Sequence, residues 1–108
     1  MIYSVEELKR IIAPLAQKYK IPAVYLFGSY ARGDATEDSD VDVLIEREGS
    51  IIKSLFDLGA LQNELNETLD KSVDLVTTDS LYQSDAQRRN PRFAGNLEKE
   101  RLTIYERQ

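Results

Sequence analysis

Ala23-Val-Tyr-Leu-Phe-Gly-Ser-Tyr-Ala-Arg-Gly33 and, a few residues on, Ser39-Asp-Val-Asp-Val-Leu-Ile45 decide the fold. Ala23 to Phe27 is short, apolar and partly β-branched or aromatic, which suits a buried strand. It ends at Gly28, where the missing Cβ lets the backbone turn sharply and approach a ligand. Ser29 to Arg32 reads as a short helical turn, and the polar, acidic run from Gly33 to Ser39 reads as a loop. Asp40 to Ile45 alternates carboxylate and aliphatic residues, the period of a strand whose two faces differ.

Upstream, Ser4 and Glu7 have capping-box spacing, and Val5, Leu8, Ile11, Ile12, Leu15 and Tyr19 recur on one helical face. Pro14 lies within this helix and, lacking an amide donor, is expected to bend or interrupt its last turns. Downstream, Ile52, Leu55, Leu58, Leu61, Leu65 and Leu69 keep helical spacing, which predicts the longest helix over Ile51 to Leu69. Val73 to Thr77 reads as a third strand, Pro91 as the opening of a late helix, and Leu102 to Tyr105 as a short final strand. The order of elements indicates an α/β or α+β domain with helices covering a small sheet. Pattern alone leaves the sheet parallel or mixed.

The chain has 108 residues and 42% hydrophobic content, which suits one domain spanning 1–108 with a single modest core. No apolar run approaches a membrane span, so a cytoplasmic protein without membrane contact is expected. Cysteine is absent, which excludes disulfides and thiolate chemistry, and so is histidine. Carboxylates, hydroxyls, lysines and arginines are left to act, and a carboxylate site favours magnesium or manganese. The net charge of -5 argues against direct nucleic-acid binding. Arg88, Arg89 and Arg92 form the densest basic cluster, read as a solvated helix turn or a protein contact.

Taken singly, each chemical feature has a plain alternative. Gly28-Ser29 could cradle a phosphate at the start of the helical turn, or be an ordinary strand-to-helix turn. The spacing of Gly28 and Gly33 fails as a P-loop because Asp34-Ala35 stand where Lys and Ser or Thr are required. Asp38-x-Asp40-x-Asp42 fails as an EF-hand loop, with Val43 in place of its glycine. On a strand, Asp40 and Asp42 share a face while Val41, Val43 and Ile45 point to the core. Such a pair invites a divalent cation, or it is a solvated sheet face. Asp74, in an otherwise apolar strand, is a third cluster member or a charge protecting a sheet edge.

Together, Gly28-Ser29, Asp40-x-Asp42 on the next strand and Asp74 on a later one resemble the polymerase-β-type nucleotidyltransferase superfamily. The string Gly-Ser-Tyr-Ala-Arg-Gly-x5-Ser39-Asp-Val-Asp is similar to its minimal nucleotidyltransferase (MNT) group, and the likeness spans most of the chain. The resemblance implies a small mixed sheet flanked by helices. It implies that Gly28 and Ser29 grip a triphosphate, with Arg32 and Ser39 as further nucleotide contacts. It further implies that Asp40, Asp42 and Asp74 are catalytic and hold magnesium, two ions in the usual arrangement, or manganese. Asp74 would also help take the acceptor's proton.

Arg32 could instead pair with Asp34 or Glu37, and Ser39 could simply shape its loop. In the MNT group the resemblance implies a type VII toxin–antitoxin pair. There the transferase, as antitoxin, moves AMP from ATP to a tyrosine of a HEPN-domain ribonuclease and forms a hetero-oligomer with it. Two other readings stay open: transfer to a small-molecule hydroxyl such as an aminoglycoside, and neutralisation of a partner by binding alone.

Overall fold

The computed structural model describes residues 2–81 and 101–107. The elements in chain order are α1 (Val5–Lys18), β1 (Ala23–Phe27), α2 (Gly28–Arg32), β2 (Val41–Glu46), α3 (Leu55–Leu69), β3 (Val73–Thr77), α4 (Thr78–Leu81) and β4 (Leu102–Glu106). The capping box that opens α1 is formed. The Ser4 hydroxyl accepts the Glu7 amide at 3.1 Å, and the Glu7 carboxylate accepts the Ser4 amide at 3.0 Å. Leu8, Ile12 and Ala16, one turn apart, are its buried stripe.

The strands lie in the order β3-β2-β1-β4. β1 runs antiparallel to both β2 and β4, whereas β2 and β3 are parallel. The sheet is therefore mixed, as the resemblance implies. α3 makes the crossover that a parallel pair requires. Strand alternation sorts the side chains into two faces. Val24, Leu26, Val41, Val43, Ile45 and Val73 join the helical residues Leu8, Ile12, Leu61, Leu65 and Leu69 in the main core. Phe27 and Leu44 form a smaller apolar cluster with Tyr25 and Val76 on the opposite face. By the same alternation, Asp42 and Asp74 belong to that second face.

Several expectations differ from the structure. α1 runs through Pro14 to Lys18 without a break. Both Pro14 and Arg10, whose carbonyl loses its helical donor, are exposed, so the lost bond falls on the solvent side where water can replace it. The helix expected over Ile51 to Leu69 starts only at Leu55. Ser54 caps it, with its hydroxyl accepting the Asp57 amide at 3.3 Å while Asp57 accepts the Ser54 amide at 3.2 Å.

Ile52 is buried from the loop ahead of this helix, and Leu55 is 85% exposed beside Phe56 at 90%. α3 docks through Leu58, Leu61, Leu65 and Leu69, leaving its first turn clear of the core. β2 begins at Val41, so Asp40 sits just ahead of the strand. α4 was not expected. The helix expected from Pro91 and the cluster of Arg88, Arg89 and Arg92 lie outside the described residues. Among those described, no helix is long and apolar enough to cross a membrane.

Candidate active site

β1 ends at Phe27, which pairs across the antiparallel ladder with Asp42. The chain then turns through Gly28 at φ +69, the left-handed region that a residue with a Cβ enters only at a cost. The turn brings the Gly28 backbone against the Asp42 carboxylate so closely that a Cβ built on Gly28 would lie 2.2 Å from Asp42 Oδ2. Glycine here makes room for a charged side chain of the same protein as well as for any ligand.

On the other side of β2 the parallel register sets Asp42 directly beside Asp74. Neighbouring strands are about 4.8 Å apart, so two carboxylates on one face at one register position repel each other. Burial, and then the charges of Asp74 and Asp40, push the Asp42 carboxyl up from its ordinary 3.8 to about 6, while Arg32 pulls it down. The three acids thus act as one electrostatic group, with Asp42 half-buried at its centre and Asp40 and Asp74 exposed.

The remaining residues expected at the site are placed as follows. Ser29 stands half-buried in α2, where its carbonyl accepts the Gly33 and Asp34 amides at 2.9 and 3.0 Å and so closes the turn. Among the described residues no side chain caps the start of α2. Arg32 Nε donates to Asp34 Oδ2 at 3.3 Å, an exposed pair of small energetic weight. Its charge nonetheless reaches Asp42. Ser39 shapes its loop. Its hydroxyl accepts the Thr36 amide at 2.8 Å and its own amide donates to the Thr36 carbonyl at 3.1 Å.

Two side chains passed over in the sequence reach the same region. Asn66 Oδ1 accepts the Val73 amide at 2.8 Å, and Gln62 Nε2 donates to the Val73 carbonyl at 3.0 Å. Their signal was an amide pair one turn apart in α3, beside its leucine stripe. Cavities also open on the described residues. One of about 700 Å³, lined by Tyr25, Glu46, Arg47, Lys53, Asp79 and Arg101, opens toward the far ends of β2 and β3 and contains none of the candidate site residues. Asp40 and Ser39 border a smaller one of about 340 Å³. Among the described residues, none of these spaces is lined by Gly28, Asp42 or Asp74, which form a separate shelf where β1 ends.

The donors at this shelf are all carboxylate oxygens, the chemistry preferred by magnesium and manganese, and their mutual repulsion is what a cation relieves. Among the described residues no three such groups already stand in ligating geometry. Gathering Asp40, Asp42 and Asp74 around an ion therefore takes side-chain rotation, to which the exposed Asp40 and Asp74 are free.

Residues 8–103 match the family model described as a nucleotidyltransferase domain. Among related proteins, one from Methanocaldococcus jannaschii, named provisionally as protein adenylyltransferase MJ0435, is 44% identical over 80 residues, covering 73% of this chain and 83% of its own. Protein adenylyltransferase MntA of Thermococcus cleftensis is 38% identical over 88 residues, covering 78% and 87%.

Two solved structures share the fold. A toxin–antitoxin structure with AMP-PNP has a TM-score of 0.68 at 22% identity, covering 93% of this chain and 74% of that one. A tri-AMPylated Shewanella oneidensis HEPN toxin in complex with its MNT antitoxin has a TM-score of 0.63 at 20% identity, covering 96% and 74%. With a family match over nearly its whole length, the chain belongs to the nucleotidyltransferase-domain family, has the polymerase-β-like fold of the minimal nucleotidyltransferases, and is a nucleotidyltransferase.

Proposed function

We propose that the chain is an antitoxin that transfers AMP from ATP to a tyrosine hydroxyl of a HEPN-domain ribonuclease toxin, forming a hetero-oligomer with it. The observation that carries this reading is the juxtaposition at the shelf, where Asp42 is held between the Gly28 turn and Asp74 in the adjacent register position. The related adenylyltransferases and the AMP-PNP and HEPN complexes of similar fold support the choice of donor and acceptor.

In the proposed reaction Asp40 and Asp42 hold the magnesium-bound triphosphate, and Asp74 completes the set. Magnesium, when bound, neutralises charge on the triphosphate and on the departing pyrophosphate. Gly28 and Ser29 supply the turn along which the phosphates lie, close to backbone because Gly28 has no Cβ. Arg32 adds positive charge beside the shelf, and Ser39 holds the loop that leads into Asp40. The tyrosine oxygen attacks the α-phosphorus in line, forming an O–P bond as the bond to the bridging oxygen breaks and pyrophosphate leaves. Asp74 takes the hydroxyl proton. Positioning and electrostatics supply the catalysis, with no histidine required.

The test is co-expression with a HEPN-domain ribonuclease from the same genome, followed by intact-mass and peptide mass spectrometry of that partner. An AMP adduct on tyrosine with the parent chain, and none with Asp40→Asn/Asp42→Asn, is the expected result. Protection of the host by the double variant, with no adduct on the partner, would overturn the catalytic reading in favour of neutralisation by contact.

A further inference from the structure

We infer that Gln62 and Asn66 are positioning residues for the transferase site, acting as a two-toothed clamp that fixes where Asp74 stands. The inference rests on the reading of Asp74 as a member of that site.

Among the described residues β3 is an edge strand, paired with β2 on one side only. In a parallel strand, successive residues turn their amide and carbonyl alternately toward the neighbour and away from it. The Ser72 carbonyl faces inward and accepts the Val41 amide at 3.1 Å. Val73 therefore turns both its groups to the open edge, where unpaired backbone is liable to fray or to recruit another strand. There Asn66 Oδ1 accepts its amide at 2.8 Å and Gln62 Nε2 donates to its carbonyl at 3.0 Å. One acceptor and one donor, four residues apart on α3, stand in for a missing strand at a single residue.

That residue immediately precedes Asp74. Both half-buried amides sit beside the leucine stripe that docks α3 on the sheet, so the clamp inherits the rigidity of Leu61 and Leu65, each 1% exposed. With Val73 held by α3 at the edge, and Ser72 before it bonded to Val41 in the ladder, the backbone entering Asp74 has little freedom. The carboxylate therefore starts from a fixed point beside Asp42. Clamp residues of this kind act as the outer hydrogen-bonding layer of a metal site does, and loss of such support lowers metal affinity about 10–100-fold.

Manganese binding, followed by electron paramagnetic resonance with AMP-PNP present, tests this without a turnover assay. Gln62→Met/Asn66→Leu keeps the side-chain shapes and removes both bonds. It is expected to raise the manganese Kd by roughly tenfold or more, and Asn66→Asp, which keeps an acceptor, is expected to retain most of the affinity. Ile12→Val, a core change in α1 that leaves both clamp side chains in place, controls for general loss of stability, and either single variant makes the same comparison if the double variant does not fold.

A double variant that binds like the parent, while Asp74→Asn binds weakly, overturns the clamp and leaves the site reading intact. Parent-like binding by Asp74→Asn itself removes the site reading and the clamp with it. Equal weakening in Ile12→Val at a matched melting temperature reduces the bonds to ordinary stabilisation and also overturns the inference.

Discussion

Replacing Gly28 with alanine separates what the turn does for folding from what it does for Asp42. The new Cβ would lie 2.2 Å from Asp42 Oδ2, 3.2 Å from Cγ and 3.5 Å from Cβ. The first distance is impossible, the second tight and the third ordinary. The carboxylate must swing away, but the β2 backbone need not. Folding therefore loses mainly the cost of a non-glycine residue at φ +69, about 1–2 kcal/mol. Catalysis loses more, because a misplacement of about 1 Å in a reacting site can cost about a hundredfold. Urea denaturation measures the first quantity, and the rate of magnesium-dependent AMP transfer to the partner measures the second. In an Asp42→Ala background the contacts with Oδ2 and Cγ vanish, so the alanine should there cost only the backbone term. A Gly28→Ala protein within about twofold of parental activity would refute the reasoning, since the hundredfold estimate requires the carboxylate to stay where the methyl intrudes.

Other consequences can be measured independently. The folded Asp42 carboxyl holds its proton up to about 6, whereas the unfolded chain releases it near 3.8. Its neutral form therefore contributes stability fully below about 3.8, and that contribution is lost as pH rises through about 6. In metal-free protein Asp42→Asn should flatten this part of the stability profile in urea melts; a fall of unchanged size between these values would count against the coupled acids. Leu65→Ala, at a 1% exposed position against the sheet, should cost about 2–5 kcal/mol by the same assay. Ser54→Ala should remove the cap of α3 for about 1 kcal/mol, while circular dichroism shows the rest of the helix retained.

Local pattern made much of the fold legible. The cap at Ser4, the alternation through Asp40 to Ile45 and the glycine after Phe27 each describe a few neighbouring residues, and each element formed close to where its pattern lay, β2 starting one residue late at Val41. Errors arose where local pattern was continued too far. Ile52 and Leu55 extend the leucine period, yet Ser54 with Asp57 is the stronger signal and starts the helix after Ile52. Leu55 kept the period but had no core beneath it.

At the site, Asp40 and Asp42 are two residues apart, which reads as one strand face, but β2 begins at Val41 and leaves Asp40 just ahead of it. Nothing within a single segment could align Asp74 with Asp42, because that register is set by packing α3 between the two strands. The link between Gly28 and Asp42 was hidden for the same reason. The turn looked like a phosphate cradle, and its tightest contact is an acid fourteen positions away, as the difference of the two numbers shows.

The parallel pairing of β2 with β3 also orders events in time. Phe27 can meet Asp42 once the short connection through α2 has closed, but Asp42 can meet Asp74 only after α3 has formed and folded back over the sheet. Contacts of longer sequence separation pay a larger closure entropy and tend to form later. A refolding chain therefore acquires its apolar hairpin-like half before its third acid. If Asp74 acts as proposed, partly folded chains that lack this last pairing are silent as catalysts.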